Sequence, residues 1–492
     1  MSLLSGQVKG LSDWDICIDP GHSQTENMGV NGYSEAEEVL RVGLHLQDIF
    51  LSQTDIDTVY MTRTNDQQSV SLSQRTSYAN SNGASWFHSI HSNAGSSDNN
   101  NTLLLWGQLS DGTPDPPVGG EDMSDFMIDI LTRTMRIPTI GSWGDCSFYT
   151  WSDYCDDSGG PYLYINRNTD MPSELSEEGH HTNPPQNQLH MNEEYKRLLA
   201  YSFFWSILQY HEIDRPSVGI SSGIISDIES GLPVNGAQVT MSGQTYTTDT
   251  YNSLFHIYSD DPQELRNGFY FFEDLEDNTF DVLVTADDYY SDTSSVTILD
   301  TFITFHDVEL LSSLSPFITE SFPADGDSLF PAWNDLVFNF SREMNTPSVE
   351  SAFSIIPAVN CTYSWSNNDR ELTVHSYSLA FETLYQINFN DSAMDVYGHQ
   401  FDGDNDGSPG GEYSITFVTG PADMSPPVIL NTYPENVTQN VERHPIINVE
   451  FNETVGPDSV INEIFFLERF VDHSHIAGIN MHYIVDNRSV FC

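Results

Sequence analysis

Four side chains in this 492-residue chain have the chemistry of a metal-assisted hydrolase. His22 ends the stretch DPGH, Glu35 follows thirteen positions later, and His91 ends the stretch SIH. Two imidazoles and one carboxylate can bind a catalytic zinc ion and leave its fourth position to water. Zinc lowers the pKa of that water toward about 7 and polarises a substrate carbonyl. Glu177 offers a second carboxylate, which could carry a proton from the water to a leaving amine.

The spacing of these residues leaves a simpler interpretation open, in which His22 is a solvated histidine in a turn. The surrounding sequence nevertheless gives the two histidines similar positions. His22 follows the apolar stretch DICID and His91 lies at the end of SWFHSIHS, and both stretches are typical of buried strands. In open α/β sheets, binding residues gather at the carboxyl ends of the strands.

Strands and helices alternate over residues 12–212. A further strand is predicted at DTVYMT, and helices are predicted at SEAEEVLRVGLHLQDIFLS, EDMSDFMIDILTRTM and NEEYKRLLAYSFFWSILQYH. Ser34 and Glu37 suit a capping box at the start of the first helix, whereas Gly43 weakens that helix. The alternation predicts an α/β domain with a largely parallel sheet.

The same region resembles a known enzyme family. The stretches IDPGH, TR, SLSQRTSYAN, FHSIHSNA and PSELSEEGHHTN occur in this order, with a glutamate thirteen residues after the first histidine. Together they resemble the zinc-dependent N-acetylmuramoyl-L-alanine amidases, the cell-wall hydrolases of the amidase-3 group, over essentially all of 12–212. The resemblance implies a mixed six-stranded sheet and a Zn²⁺ ion bound by His22, Glu35 and His91. It also implies that Glu177 is the catalytic base.

Neighbouring glutamates compete for two of these roles. The family's spacing places its glutamate five residues before a helix-facing leucine, which fits Glu35 and Leu40. Glu37 and Glu38 are therefore interpreted as cap and surface residues. Glu178 is interpreted as a solvated residue beside the catalytic glutamate.

Other histidines lie close to the implied ligands. His88 is three residues from His91 on one strand, which places the two side chains on opposite faces, so His88 is predicted to pack. His180 occupies the position, three residues after the catalytic glutamate, where relatives usually carry phenylalanine, and His181 follows it. Both imidazoles could contact substrate or reach the metal, and a plain loop position is the default interpretation.

Several further residues are candidates for supporting roles. Asp19 and Asn93 could accept the second N–H of a zinc-bound imidazole. Arg167 resembles a position where relatives often carry arginine, and it could steady an oxyanion or equally well pair with a nearby acid. Arg63 and Arg75 are interpreted as residues that serve folding.

The pattern of the sequence changes near residue 216. Helical periodicity ends there, and short predicted strands separated by Gly, Asn and Asp turns begin. Residues 216–312 resemble carboxypeptidase-regulatory-like β-sandwich modules. Residues 314–420 and 425–492 resemble bacterial Ig-like modules, and the second is an incomplete copy of the first at an offset of 110 to 111 residues. Such modules imply spacing, adhesion or wall attachment, with other cell-surface components as potential partners.

The stretch DGDNDGSPGGEY, residues 402–413, begins like a calcium loop. Its twelfth position is Tyr413, where a calcium loop carries a bidentate glutamate. A Ca²⁺ site near Asp402, Asp404 and Asp406 and a plain acidic turn therefore both remain open.

The composition excludes some partners. Acidic residues number 72 against 16 basic ones, a formal charge of −56 that repels nucleic acid and anionic membranes. No stretch approaches the roughly 20 apolar residues of a membrane span. Five cysteines are too few for a disulfide scaffold. Cys146 and Cys155 could bridge a local loop in an oxidising compartment, and Cys17 is predicted to be buried in its strand.

The resemblance implies an amidase that cleaves peptidoglycan between N-acetylmuramic acid and L-alanine. The substrate implies an extracytoplasmic location, with a leader absent from the chain as given. One alternative is a zinc peptidase that acts on another exported amide. Another is a surface protein that binds wall fragments without cleaving them, although all four catalytic residues are present.

Overall fold

The computed structural model describes residues 7–216, 219–249, 265–299, 302–376, 379–422, 427–435, 438–439 and 447–452, and the backbone of two short strands, His482–Tyr483 and Ser489–Phe491. The chain divides into two compact units, Met1–Leu314 and Ser315–Cys492. Most of the predicted second Ig-like copy lies outside the described residues. The finer domain boundaries drawn from the sequence stay predictions.

The first unit begins with a six-stranded sheet. Its strands are β1 (Ile16–Pro20), β2 (Val59–Met61), β3 (Trp86–Asn93), β4 (Thr102–Trp106), β5 (Thr139–Gly144) and β6 (Ser173–His180). Their spatial order is β2-β1-β3-β6-β4-β5. Neighbours are parallel except for β4 and β6, which are antiparallel. The predicted mixed six-stranded sheet is therefore confirmed.

Eight helices of this domain surround the sheet: α1 (Glu35–Gln53), α2 (Leu72–Asn82), α3 (Gly120–Met135), α4 (Asp145–Phe148), α5 (Tyr154–Ser158), α6 (Tyr164–Asn168), α7 (Pro184–Met191) and α8 (Glu193–Tyr210). Helices α1, α3 and α8 share one large apolar cluster with one face of the sheet. Helices α2 and α6 contribute to a smaller apolar cluster on the other face. His22, His91 and Glu177 lie at or near the ends of β1, β3 and β6.

Helix α1 begins at the predicted capping box. The Ser34 side chain accepts a hydrogen bond from the Glu37 N–H, and the Glu37 carboxylate accepts one from the Ser34 N–H. Gly43 lowers the helix propensity, but it allows α1 to approach the sheet closely. A Cβ at this position would lie 2.9 Å from Pro20 Cγ. The glycine is therefore explained by packing between α1 and β1.

Helix α8 is buried around most of its circumference. One side faces the sheet, and the other packs against the module that follows, because Phe269, Phe271 and Ile303 belong to the same apolar cluster. The Trp205 and Phe302 rings also meet, with centroids 5.9 Å apart. Residues from about 219 to 310 thus share a core with the first domain.

That module contains two four-stranded sheets. One consists of β7 (Gly219–Asp227), β10 (Phe269–Leu275), β13 (Thr304–Phe305) and β14 (Val308–Leu310), and the other of β8 (Gln238–Met241), β9 (Gln244–Thr247), β11 (Thr279–Thr285) and β12 (Asp292–Thr297). A separate apolar cluster lies between them. This arrangement agrees with the predicted β-sandwich.

The second unit contains another pair of four-stranded sheets. They are β15 (Ile318–Phe322) with β17 (Leu336–Phe340), β19 (Cys361–Ser366) and β20 (Glu371–Ser376), and β16 (Asp327–Phe330) with β18 (Phe353–Ile356), β21 (Leu384–Phe389) and β22 (Tyr413–Thr419). A short helix, Thr346–Ala352, precedes β18. Aromatic and aliphatic side chains fill the space between the sheets.

A further four-stranded sheet repeats part of this pattern. It contains β23 (Ile429–Tyr433), β24 (Asn448–Phe451), β25 (His482–Tyr483) and β26 (Ser489–Phe491). Ile318 pairs with Phe340 in the first copy, and Ile429 pairs with Phe451 in the second, each followed by a shift in register. Both strands are displaced by 111 positions, which agrees with the tandem repeat read from the sequence.

The first domain contains one disulfide bond. Cys146 and Cys155 form a disulfide bond, whereas Cys17 is a buried free thiol, as predicted. Within the described residues, none of the helices combines the length and apolar character needed to cross a membrane.

Candidate metal centre

His22 lies in a turn after β1 that two buried arginines hold in place. Arg63 donates from Nε to the Pro20 carbonyl (3.0 Å) and from Nη2 to the Gly21 carbonyl (2.8 Å). Arg75 donates to the Pro20 carbonyl (2.6 Å) and to the His22 carbonyl. His22 has a φ of 57°, a left-handed conformation that is uncommon outside glycine. The two arginines thus fix the backbone that presents this imidazole.

His91 lies near the end of β3, directly against the same turn. A side chain at Gly21 is excluded because its Cβ would lie 2.4 to 2.7 Å from atoms of the His91 ring. The rings of His22 and His91 meet edge to face, with centroids 4.8 Å apart. Glycine at position 21 therefore allows the two imidazoles to come together.

Glu35, the first residue of α1, lies between these imidazoles. Its Oε1 is 2.9 Å from His91 Nδ1, and its Oε2 is 3.3 Å from His22 Nε2. One potential ligand atom from each of the three residues lies within 4.8 Å of the other two. The three residues come from three separate elements and converge on one point. Their chemistry fits the two-histidine, one-carboxylate donor set of catalytic zinc sites.

The environment of Glu35 keeps its carboxylate ionised. Burial by itself raises the pKa of Glu35, but hydrogen bonds and charge interactions with His22 and His91 outweigh burial and lower it. Asn27 Nδ2 donates to Oε2 (2.7 Å), and the Ser92 N–H donates to Oε1 (3.0 Å). Sequence reasoning missed both donors. Asn27 lies in a turn whose path no periodicity specifies, and Ser92 contributes a backbone group that any residue type could supply.

Glu177 lies on β6, opposite His91 in the strand register. Its Oε2 is buried and has no hydrogen-bond partner among the described residues. Burial, followed by the negative charges of Glu35 and Glu38, raises the pKa of Glu177 well above its usual range. A carboxyl group with a raised pKa beside the candidate ligands suits proton transfer.

Two glutamates interpreted as surface or solvated residues are fully buried, and those interpretations are wrong. Glu38 accepts a hydrogen bond from Ser92 Oγ (2.9 Å), and its Oε2 lies 2.9 Å from His190 Nδ1. Both carboxylate oxygens of Glu178 are buried, and the side chain beside them is another acid, Glu38. Burial, followed by Glu38, raises the pKa of Glu178 well above its usual range. Glu178 is buried because β6 is an inner strand of the sheet and both faces of the sheet are covered.

The histidine pair after Glu177 does not lie in a free loop. His180 is the last residue of β6, is 3% exposed, and has no partner at either ring nitrogen among the described residues. Burial lowers the pKa of His180, which favours the neutral imidazole. His181 Nδ1 lies 3.0 Å from the Ser92 carbonyl oxygen and 3.7 Å from Glu35 Oε2. His181 is thus adjacent to a candidate ligand.

The two residues considered as partners for imidazole N–H groups bond elsewhere. Asp19 accepts hydrogen bonds from Thr62 (2.6 Å), Arg75 (2.6 Å) and Ser89 (2.8 Å). Although burial opposes it, Arg75 together with these hydrogen bonds lowers the pKa of Asp19. The Asn93 side chain accepts a hydrogen bond from the next backbone N–H. Asp19 therefore positions Arg75, which in turn holds the backbone around His22. Asn93 makes only a local hydrogen bond.

Arg167 lies among aromatic rings. Its guanidinium is 4.6 Å from the centroid of Tyr154 and 5.2 Å from that of Tyr164. It donates to the carbonyls of Pro161 and Tyr162. Among the described residues, no hydrogen bond or ion pair joins it to the candidate ligands or the candidate base. A role at an oxyanion stays a prediction.

His88 packs on the face opposite to His91, as predicted. Its Nδ1 lies 2.7 Å from Glu174 Oε1, and its ring centroid is 4.6 Å from that of Phe203 on α8. Trp86 Nε1 donates to the other oxygen of Glu174. His88 therefore belongs to the core.

A second group of acids lies in the second unit. Potential ligand atoms of Asp402, Asp404 and Asp406 come within 4.8 Å of one another. The carboxylate of Asp402 accepts the N–H groups of Asp406 (3.2 Å) and Gly407 (2.9 Å), and the other two side chains are exposed. These contacts are those of an acidic turn that needs no ion. A Ca²⁺ ion here stays a prediction without support from the geometry.

Comparison with known families supports the resemblance that the motifs indicated. Residues 16–209 match the N-acetylmuramoyl-L-alanine amidase family, and residues 313–419 match a bacterial Ig-like domain. The two matches bear out the predicted amidase-like domain and the first predicted Ig-like module, while the second Ig-like copy and the carboxypeptidase-regulatory-like module stay predictions.

Individual relatives agree over short stretches. The amidase CwlM of Bacillus licheniformis is 44% identical over 81 residues, which cover 16% of this chain and 32% of the relative. A sporulation-specific N-acetylmuramoyl-L-alanine amidase of Bacillus subtilis (strain 168) is 40% identical over 81 residues, 16% of this chain and 31% of the relative. The chain therefore spans about a third of the length of the curated relatives it matches.

Solved structures are similar over the first domain. The catalytic domain of CwlV from Bacillus (Paenibacillus) polymyxa var. colistinus is 21% identical, with a TM-score of 0.34, over 41% of this chain and 99% of that chain. An N-acetylmuramoyl-L-alanine amidase from Clostridium difficile 630 is 22% identical, with a TM-score of 0.34, over 40% of this chain and 97% of that chain.

Proposed function

We propose that this chain, in which residues 16–209 form an N-acetylmuramoyl-L-alanine amidase domain, hydrolyses the amide bond between N-acetylmuramic acid and L-alanine in peptidoglycan. One observation carries the proposal. His22, Glu35 and His91 reach one point from three elements, and Glu177 lies opposite His91 in the register. This arrangement supports hydrolysis of an amide, and the family match supports the choice of amide.

Zn²⁺ is the cofactor that the donor set fits. Glu35 is buried and held ionised by imidazoles, and Gly21 leaves room for the His91 ring beside His22. When bound, zinc supplies Lewis-acid activation of water and of the amide carbonyl. His22, Glu35 and His91 would hold the ion, while Asn27 and the Ser92 N–H keep the Glu35 carboxylate in place.

Glu177 would move the protons of the reaction. In the hydrolysis, water oxygen bonds to the lactyl carbonyl carbon and the carbon–nitrogen bond breaks. Glu177 takes a proton from the water and delivers it to the departing nitrogen of L-alanine. Its place on β6 opposite His91, with Oε2 buried and without a hydrogen-bond partner among the described residues, supports this role. The products are a glycan with a free lactyl carboxylate and a free stem peptide.

We place the protein outside the cytoplasm. Peptidoglycan lies beyond the membrane, and the Cys146–Cys155 disulfide supports an oxidising compartment. In this setting the β-modules would attach the catalytic domain to the wall or to other cell-surface components.

The test is digestion of purified peptidoglycan followed by mass spectrometry of the released fragments. The wild-type protein is compared with Glu177→Gln, with the exposed control Glu276→Gln, and with wild type in the presence of a zinc chelator. We expect stem peptides with free L-alanine amino termini from the wild type and the control only. Glu177→Gln should lower the rate by at least about 100-fold, the lower end of general acid–base contributions.

Other outcomes would replace the proposal. Fragments cut within the stem peptide would identify a zinc peptidase. Binding of zinc and peptidoglycan without any released fragment would identify a wall-binding surface protein.

A further inference from the structure

An aromatic cluster lies on the segment between β5 and β6. Tyr149 stacks on Tyr162 with centroids 4.2 Å apart, and it meets Trp151 at 5.2 Å. Tyr154 contacts Tyr162 at 6.0 Å, and Arg167 covers the Tyr154 ring. Trp151 is 72% exposed although it belongs to this cluster. Clustered exposed aromatic surface is unusual unless it binds something.

The segment is fixed at its base and in its middle. The buried Asp145 carboxylate accepts the N–H of Gln108 (3.2 Å), the N–H of Leu163 (2.9 Å) and the side-chain amide of Asn166 (3.1 Å). The Cys146–Cys155 disulfide closes the turn that carries Trp151. The exposed rings are therefore held in place before any ligand arrives, which lowers the entropy cost of binding.

The cluster borders the candidate catalytic site. Tyr149 packs against the apolar cluster that contains Leu103 and Leu175. Leu103 pairs with Glu177 in the strand register, and Leu175 lies two residues before Glu177, on the same face of β6. Burial, followed by the nearby Glu177 carboxylate, raises the pKa of the Tyr149 phenol to about 12. Tyr149 therefore lies near Glu177, and the ring contacts connect Trp151 and Tyr154 to that end of the sheet.

The surface combines two kinds of group. The ring faces carry negative electrostatic potential and attract the C–H groups of a flat apolar face. Exposed carboxylates lie beside them on the same turn, at Asp153, Asp156 and Asp157. Carboxylates accept hydrogen bonds from hydroxyl and amide donors. A pyranose chain offers both, since each sugar has a C–H face and a rim of hydroxyl and acetamido groups.

We propose that the Trp151–Tyr154 surface binds the glycan strand of peptidoglycan, at sugars next to the one whose amide is cleaved. The choice of glycan rests on the proposed function. Trp151 is the most exposed ring of the cluster and offers a face for stacking, and the exposed Asp153 follows two positions later in the same disulfide-closed turn. The enzyme would thus recognise a strand of several sugars, beyond the single muramoyl-peptide unit.

Binding is measured by isothermal titration with peptide-free oligosaccharides of alternating N-acetylglucosamine and N-acetylmuramic acid. Trp151→Ala removes the ring, Trp151→Phe retains a ring face, and Trp333→Ala is the control because Trp333 is 56% exposed and lies in the second unit. We expect Trp151→Ala to weaken binding about tenfold, the effect of losing one aromatic stacking contact. Trp151→Phe should retain most of the wild-type affinity for the oligosaccharides, and Trp333→Ala should bind them with the same affinity as the wild type.

A kinetic comparison adds a second readout. For long uncross-linked strands that carry stem peptides, Trp151→Ala should raise KM about tenfold and leave kcat unchanged. For a single N-acetylmuramoyl-peptide, it should change neither value. Equal binding by Trp151→Ala and wild type, no binding of the oligosaccharides by wild type, or competition by free stem peptide would overturn the inference. Oligosaccharide binding that needs Trp151, without hydrolysis, would retain the inference and reject the proposed function.

Discussion

Two groups of potential metal ligands in the described part of this chain have different origins. One potential ligand atom from each of His22, Glu35 and His91 lies within 4.8 Å of the other two, and the same holds for the three aspartates of the turn 402–406. The first group is assembled from a turn, a helix start and a strand end that are distant in sequence. The second comes from five consecutive positions of one turn.

The difference lies in what holds each group together. In the first, Arg63, Arg75, Asn27 and Ser92 fix the backbone and the carboxylate from outside the group. In the second, Asp402 is satisfied by the N–H groups of its own turn, and its neighbours project into solvent. Ligands that are brought together by residues distant in sequence indicate a metal site. Acidic residues that are close because they share one turn are expected from the local backbone alone.

Removal of one ligand should produce the largest contrast between the two groups. His91→Ala should lower zinc affinity by more than about 100-fold, because loss of a supporting partner alone typically costs 10–100-fold. Hydrolysis of peptidoglycan should fall to background. The measurement is a zinc titration against a chromophoric chelator, with Asp404→Asn as the matched change in the acidic turn. Zinc retained by His91→Ala, or lost in Asp404→Asn, would remove the distinction.

The sequence predicted the strands and the helix that carry the metal ligands better than the residues that hydrogen-bond to those ligands. The capping box predicted where α1 begins, and apolar stretches predicted β1 and β3. The resemblance supplied Glu35 in place of Glu37 or Glu38. Asn27 escaped notice, because its contact with Glu35 depends on the path of a turn that has no periodic signal.

Gly21 offers a sharper test, since Gly21→Ala leaves every ligand present. The added Cβ would lie 2.4 Å from an atom of the His91 ring, so the imidazole must move. Zinc affinity should fall roughly 10–100-fold, as for other changes that disturb ligand orientation. Gly420→Ala is the control, because its Cβ would meet its nearest neighbour at an ordinary 3.6 Å. Unchanged zinc affinity in Gly21→Ala would show that the turn does not set the ligand geometry.

The errors over Glu38 and Glu178 have a physical cause. A carboxylate in a helix or strand is exposed by default, and its burial depends on which elements cover it. Here α7 and α8 cover the end of the sheet near Glu38 and His190. The sequence of α8 did contain a signal, since a helix that is apolar on nearly all sides must be covered on all sides. That signal predicts a second covering element, which the following β-module provides.

Burial also makes the stability of the first domain depend on the protonation of Glu178, and this is the smallest of the expected effects. Because the pKa of Glu178 is raised in the folded protein, the folded state binds more protons than the unfolded state above the ordinary glutamate range. The contribution of Glu178 to the free energy of unfolding is therefore greatest below the unfolded pKa of about 4.3 and is lost as the pH rises through the folded pKa. The charged groups that act on Glu178 all raise its pKa further, and they are Glu38, Glu35 and Glu177.

Glu178→Gln removes this penalty, because the amide stays neutral and can donate a hydrogen bond toward Glu38. At pH 7 the variant should unfold a few degrees above the wild type, since about 1 kcal/mol shifts Tm by roughly 2–4 °C in a domain of this size. The difference should shrink as the pH approaches 4.5, where Glu178 of the wild type is protonated. The exposed Glu276→Gln should match the wild type at both pH values. A Glu178→Gln variant less stable than wild type at pH 7 would mean that the buried carboxylate is charged and paired with a hydrogen-bond donor, whereas the side chain beside it is the acid Glu38.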